Sequence, residues 1–375
     1  MPALRVALGI AIPLLALVLA GHTDLTIYAL FGALTGVYGR VEAHWLRLKH
    51  QSFAGLIMCA SVIGGVAASM AGLAGWSLVA LSTVIAGALS LAADFLRLRP
   101  AGPFFFLFAF TASASIPFRQ PPWEAAAAVG ASVAVVLVLG FAGRLRARRR
   151  DPGRMLHEPP HRPWPRMLAH AGRYVLAIGV AGSIATLAGL GHSYWAMVAA
   201  AAPIAAADAG GGLVRAVHRI LGTYGGVLLT ALLLTMQWTP LQLAVLLAAL
   251  QFVGEVFVIR HYSIALVWMT PVALMMTEFV APKPAGVLVF DRALETTLGA
   301  GIAFIVILLT TRGLRRGVRQ TAAGRPAEQL AAPPSGVVHR GDGTGSRSSA
   351  SLSEAVSGNP AAAALSLRRP ASRCE

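Results

Sequence analysis

The sequence predicts an all-α polytopic membrane protein with about 12 transmembrane helices. They form two parallel 6-helix repeats, with the N- and C-termini cytoplasmic. Three observations lead there. Hydrophobic residues make up 56% of the 375-residue chain and mean hydropathy is +0.68, while only 12% of residues are charged. Soluble domains carry about 25% charged residues, so too little polar surface remains to cover a water-facing exterior. Apolar runs long enough to span a bilayer, about 20 residues each, recur along the whole chain. The formal net charge of +16 is concentrated in alternate connections between those runs.

In the first half the runs fall at 4–21, 24–39, 53–72, 75–93, 102–117 and 124–142. In the second they fall at 172–190, 193–208, 220–237, 240–258, 262–280 and 292–311. The first run follows Met1-Pro2-Ala3-Leu4-Arg5 directly. It reads as a membrane helix, since no small-residue cleavage site leads from it into a soluble domain. The runs at 24–39 and 193–208 are short and rich in Gly and Ala, which suits helices that are little tilted, broken, or extended by polar turns.

With the N-terminus inside, the inner connections hold Arg5; Arg40, Arg47 and Lys49; Arg97 and Arg99; and nine arginines from Arg144 to Arg173. They also hold Arg215, Arg219, Arg260, Arg312, Arg315, Arg316 and Arg319, against Arg119, Lys283 and Arg292 outside. Cytoplasmic loops carry the excess of Lys and Arg, and a missed helix would invert the pattern from that point onward. The charge therefore supports both the count and the orientation.

The organisation that follows is a first membrane repeat at 1–142, a basic Pro/Arg-rich cytoplasmic linker at 143–171, a second membrane repeat at 172–311 and a cytoplasmic tail at 312–375. The tail lacks apolar periodicity and reads as disordered. Clustered arginines in the linker are drawn to an anionic leaflet. An offset of about 167 residues aligns Tyr28 with Trp195, Gly55 with Gly222 and Glu124 with Asp291. Even-numbered repeats sit the same way up, related by a pseudo-two-fold axis along the membrane normal. Cys59 and Cys374 suggest neither a disulfide framework nor a metal cluster.

Several stretches of the second half resemble a known family. Ser193-Tyr194-Trp195, and Arg215-Ala216-Val217-His218-Arg219-Ile220-Leu221-Gly222-Thr223-Tyr224-Gly225-Gly226, resemble the signature of the FUSC (fusaric acid resistance) family. Tyr262 with Pro271, and Arg292-Ala293-Leu294-Glu295-Thr296-Thr297-Leu298-Gly299, resemble two later family elements. The resemblance covers roughly residues 172–311. It implies a fold and activity like those of aromatic-acid exporters, with a likeness to plant aluminium-activated malate channels. The first repeat departs from the pattern: where Arg219 to Thr223 would recur it reads Ser52-Phe53-Ala54-Gly55-Leu56, without the Arg or the Thr.

The residues suggest where chemistry sits. Arg219, read as opening a membrane helix with Gly222 and Thr223 in its first turn, would make an anion site from a guanidinium, a hydroxyl and free helix N–H groups. The alternative reading makes Arg215 and Arg219 orientation anchors and the glycines close helix contacts. Tyr194 and Trp195 are candidates for stacking on an aromatic substrate; the alternative is an interfacial belt with Trp76, Trp123 and Trp238. Ionisable groups inside a membrane are functional candidates by default. Asp208, before Gly210-Gly211-Gly212, and Glu255, one turn inside its helix, are the proton-coupling candidates. For Glu255 the leading expectation is an ion pair with Arg219, Arg215 or Arg260. Glu295 is expected to pair with Arg292 one turn away. His22 and His192, in corresponding outer turns, read as solvated, with a pH-sensing pair as the alternative.

Walker, HExxH, paired CxxC and Gly-x-Ser-x-Gly signatures are all missing from the sequence, so it predicts no enzyme, no cofactor and no metal. The expected partners are a small organic anion and the lipid bilayer, with no nucleic acid; a homo-oligomer stays open. The leading expectation is gradient-driven efflux of organic or aromatic carboxylic acids across the cell membrane. A passive organic-anion channel and a non-transport membrane scaffold are the alternatives. Gly39-Arg40-Val41-Glu42-Ala43-His44-Trp45 lacks the loop element expected of a major-facilitator transporter.

Overall fold

The computed structural model describes residues 2–117, 120–146, 160–206, 209–258, 260–280 and 285–323. Met1–Thr321 form one compact unit; of the second, Ala322–Glu375, only the end of the last helix is described. Linker residues 147–159, the tail beyond 323, Arg119, Asp208 and Lys283 lie outside the described residues.

The described residues are helical, without strands, and hold twelve α-helices. The first six are α1 (Pro2–Leu19), α2 (Thr26–Ala33), α3 (His44–Met70), α4 (Gly75–Phe95), α5 (Phe104–Ser115) and α6 (Pro122–Arg146). The second six are α7 (Trp164–Leu187), α8 (Ser193–Ile204), α9 (Ala209–Leu234), α10 (Pro240–Phe257), α11 (Tyr262–Val280) and α12 (Ala285–Ala323). Short 3-10 turns, Thr23–Leu25 and Leu34–Val37, flank α2. The chain is thus a membrane protein with several apolar helices.

Of the twelve expected spans, seven helices are long and apolar enough to cross a membrane by themselves: α3, α4, α6, α7, α9, α10 and α12. The other five are shorter apolar helices. The α5 and α8 helices have 12 residues each, about 18 Å of rise, well under a hydrocarbon core of about 30 Å. Every residue of α2, and of α8 from Tyr194 onward, is buried. A helix that is apolar all round belongs inside a bundle, and these short helices are enclosed by protein rather than set against lipid. They account for the shortness already visible at 24–39 and 193–208.

Helix ends follow local chemistry. The α1, α3 and α7 helices each run into a glycine with positive φ, namely Gly21 (80°), Gly72 (68°) and Gly189 (67°). The next residue's N–H turns back to a helix carbonyl in all three: His22 to Leu17, Leu73 to Ala68, Leu190 to Ala185. This is the glycine stop that satisfies orphan carbonyls. At the start of α10, Thr239 and Gln242 cap each other reciprocally, with Pro240 in the first turn.

The packing joins the two sets of six helices. The α1 helix packs on α10 and α4 packs on α7, while α3 packs on α5 and α6, and α9 on α11. Several charges assigned to loops by hydropathy lie in the interior instead. The reason is that α3 begins at His44, well before the apolar run at 53, and draws its polar first turns into the fold. Arg47 is 1% exposed. Its guanidinium donates to Glu42 O (2.8 Å) and Gly140 O (3.1 Å), tying α3 to α6. His50 Nδ1 sits 2.8 Å from the Glu42 carboxylate.

Candidate functional site

The α9 helix begins at Ala209 and runs through Gly210-Gly211-Gly212, so it opens ten residues before Arg219. That corrects the sequence reading: Arg219 and Thr223 stand several turns inside the helix. The free N–H groups of a helix start are not beside them, which leaves side chains as the donors available there. The glycines misled because they read as a break between spans, whereas the helix continues across them.

Arg219 is buried, 3% exposed. Its Nη1 donates to Tyr262 Oη at 3.4 Å, and its guanidinium carbon lies 5.2 Å from the centre of the Phe104 ring. Arg215 covers the face of the same Tyr262. Among the described residues Arg219 Nε has no hydrogen-bond partner. Thr223, one turn along on the same face, is fully buried, and its hydroxyl is likewise unpartnered. Threonines inside helices usually bond a carbonyl one turn back. Thr230, Thr297 and Thr310 do so here, to Gly226, Ala293 and Val306. The Thr223 hydroxyl is spare by comparison.

A second arginine completes the arrangement. Arg292, placed in an outer connection by sequence, lies inside α12 and is 4% exposed. Its guanidinium carbon sits 3.8 Å above the Trp195 ring, a close cation–π contact. Its Nε and Nη1 have no hydrogen-bond partner among the described residues. Thr296, one turn along, is fully buried with an unpartnered hydroxyl. The signal was present in the sequence: Arg219, Thr223 and Gly226 repeat the spacing of Arg292, Thr296 and Gly299.

The glycine of each triplet marks a close helix crossing. A Cβ on Gly226 would stand 2.5 Å from Thr270 Cβ on α11, and one on Gly299 would stand 2.8 Å from Ala199 Cβ on α8. Tyr224 and Thr297, which follow the two threonines, join α9 to α12 through hydroxyls 3.0 Å apart.

Aromatic rings connect the two arginines. Phe104, beside Arg219, lies one turn before Phe108 on α5, and Phe108 is 4.8 Å from Trp195, the platform of Arg292. Tyr194 stacks beside Trp195 at 5.0 Å. Both are buried, at 3% and 2% exposure, so the belt reading fails for them. It suits Trp76 and Trp123, which are exposed.

Arg292 lies within electrostatic reach of Arg219 and Glu295. Glu295, fully buried, accepts a hydrogen bond from the His192 backbone N–H at 3.0 Å, so His192 is tied to α12 while His22 is exposed. Two arginines and one glutamate give the cluster a formal charge of +1, which a monoanion would neutralise.

Glu255 belongs elsewhere. It pairs with Arg40, from the turn after α2, and accepts from Gln251 Nε2 at 3.2 Å. The expected partners Arg219, Arg215 and Arg260 are replaced by a first-half residue distant in sequence. Asp208, the other proton-coupling candidate, lies outside the described residues. No group of His, Cys, Asp and Glu among the described residues could hold a metal ion.

Fold and site together define a helical membrane protein with a buried, cationic, aromatic-lined centre. Residues 180–306, which include Tyr194, Trp195, Arg219, Thr223 and Arg292, match the family described as fusaric acid resistance protein-like. Over 147 residues the chain is also 29% identical to the uncharacterized membrane protein YvaC of Bacillus subtilis (strain 168). That alignment takes in 39% of this chain and 23% of YvaC, so it spans about a quarter of the relative's length. No solved structure matches the chain.

Proposed function

We propose that the protein exports organic, above all aromatic, monocarboxylic acids across the cell membrane, driven by an ion gradient. The observation that carries this is the pair Arg219 and Arg292: buried, against aromatic faces, with N–H groups free to take a carboxylate among the described residues. Charge-assisted hydrogen bonds to a carboxylate are among the strongest a protein makes. The Thr223 and Thr296 hydroxyls supply further donors. Phe104, Phe108 and Trp195 give an aromatic substrate apolar contact along the same path. An uncompensated cation is costly in a membrane interior, so its retention calls for an anionic partner.

In this reading the two sets of six helices are parallel repeats about an axis along the membrane normal, with both termini in the cytoplasm. The reciprocal packing of α1 on α10 and α4 on α7 supports it. So does a crossing made twice: a Cβ on Gly32 of α2 would meet Ser132 of α6, and one on Gly299 of α12 would meet Ala199 of α8. An offset of 167 exchanges these two pairs, with the small residue on opposite helices.

The test is efflux of labelled benzoate from cells with and without the protein, before and after the proton gradient is collapsed. Benzoate export that needs the gradient and is lost in Arg292→Ala, with membrane insertion unchanged, is the expected result. Export that persists in Arg292→Ala and Arg219→Ala removes the proposed site. Flux that follows voltage and ignores the proton gradient makes the protein a channel.

A further inference from the structure

A second cationic feature lies at the end of α4. Ala93, Asp94, Arg97, Leu98, Arg99, Ala101, Pro160 and Arg162 line a cavity of about 80 Å³. Pockets for drug-sized ligands run to about 300–1,000 Å³, so this one suits a compact group such as a tetrahedral oxyanion. Asp94 is already matched: its carboxylate oxygens sit 2.9 Å from Arg162 Nη1 and 2.8 Å from His170 Nδ1. With three arginines and one aspartate, the lining has a formal charge of +2.

Arg97 occupies an unusual position. It stands where α1, α3 and α7 place Gly21, Gly72 and Gly189, with φ of 56°, and Leu98 N–H turns back to Ala93 O at 2.9 Å as in the glycine stops. A side chain at positive φ carries a backbone cost that glycine avoids. The fold therefore holds an arginine at the one position of this turn where a glycine would be less strained, and it lines the pocket.

The surroundings of the pocket are apolar and exposed. The α4 and α7 helices are both long and apolar enough to span a membrane, and they pack against each other. The pocket begins at Ala93, in the last turn of α4, and the end of a helix that spans the hydrocarbon core reaches the headgroups. Phe95 and Trp164, beside it, are 62% and 58% exposed. Trp164, Leu168 and Val175 line one exposed face of α7. Basic residues at a span end, next to an open apolar face, suit a lipid with a negative headgroup.

We propose that this pocket binds the phosphate of an anionic phospholipid, whose acyl chains lie along α4 and α7. The test is native mass spectrometry of the full chain released from detergent with phosphatidylglycerol or phosphatidylcholine, with inorganic phosphate as a third probe. Retention of phosphatidylglycerol over phosphatidylcholine is expected. Arg97→Gly combined with Arg99→Gln should lower that retention roughly thirty-fold, at about one kilocalorie-scale contact per basic residue. Arg97→Gly relieves the positive φ, and a melting curve of the double variant separates loss of retention from loss of fold. Arg166→Gln removes an exposed charge from α7 outside the pocket and should leave retention as it was. Unchanged retention in the double variant overturns the proposal. So does an equal loss in Arg166→Gln, which means diffuse surface charge, or binding of inorganic phosphate in place of the lipid, which means a soluble-anion site.

Discussion

From the second helix of each set onward, the first six helices and the last six follow the same order of long and short elements, yet they place their buried charges differently. In the last six, Arg219, Thr223, Arg292 and Thr296 are buried in α9 and α12, each with a donor unused among the described residues. The positions 167 residues earlier are Ser52, Leu56, Ala125 and Val129: the first two exposed, the last two buried and apolar. The buried charges of the first six sit instead near helix ends. Glu42, Arg47 and His50 bond one another and α6, and Asp94 bonds Arg162 and His170. Buried groups without a hydrogen-bond partner occur in both sets among the described residues, Arg40 Nε and the Thr35, Ser82, Ser90 and Ser113 hydroxyls in the first; what sets the last six apart is two buried arginines held against aromatic faces. A shared helix plan therefore does not imply a shared site.

The contrast depends first on the two sets being held together, and Arg40 braces one to the other through Glu255. Its partner Glu255 is 4% exposed. Breaking a buried ion pair from one side costs about 3–5 kcal/mol, because the remaining charge is stranded. Arg40→Gln should therefore lower the melting temperature sharply, and Arg40→Gln with Glu255→Gln should recover most of it. A single variant that melts like the parent would mean the brace is idle and the sets of helices are held by apolar packing alone.

The next effect separates the sets by function. Removing Arg219 or Arg292 deletes a charge-assisted contact worth about 1.5–3 kcal/mol, so each alanine variant should cut benzoate flux roughly tenfold to a hundredfold. Ser52→Ala and Ala125→Ser, at the corresponding first-half positions, should change it less than twofold. Equal sensitivity in the first half would mean both sets of helices carry a site.

Much of this arrangement is legible in the sequence, and the misses have physical causes. The apolar runs mark every helix, since burial in lipid or protein needs the same composition. The shortness of 24–39 and 193–208 is visible in the sequence, but it reads there as little tilt, a break or an extension by polar turns, and only the packing shows these helices enclosed by protein. Helix starts are hidden where the first turns are polar or glycine-rich: α3 begins at His44 and α9 at Ala209, both ahead of their apolar runs. That concealment assigns Arg47 to a loop and Arg219 to a helix start. Arg292 is missed for a related reason, since an arginine close to a span end looks like an anchor until Trp195 is seen beneath it. The pairing of Arg40 with Glu255 is a tertiary contact that no local pattern encodes.

Close packing gives a smaller, paired effect. Gly32→Ala would press on Ser132, and Gly299→Ala on Ala199, each in the tight crossing of a short buried helix. Overpacking of this kind costs about 1–3 kcal/mol, so both variants should melt at lower temperature by similar amounts. They should part in function. Gly299 is on α12 with Arg292, and Ala199 is on α8 with Trp195, so only Gly299→Ala should weaken benzoate binding. A loss of binding in Gly32→Ala as large as in Gly299→Ala would show that the first six helices shape the site directly.

The smallest effect is also the most discriminating, because it has two signs. A buried hydroxyl without a partner costs stability relative to an apolar group of the same shape. Thr223→Val removes such a hydroxyl among the described residues and keeps its volume. The empty protein should therefore become slightly more stable, by about 1 kcal/mol or less, while benzoate loses a donor and binds several-fold more weakly. Thr230→Val, on the same helix, removes a hydroxyl already bonded to Gly226 O at 2.7 Å and should leave binding unchanged. A group that destabilises the empty state and helps the bound one is kept for its ligand, whereas a group that only braces the helix moves both in the same direction. Should Thr223→Val destabilise the empty protein, its hydroxyl is structural, and the resting site of the anion shifts toward Arg292 and Thr296.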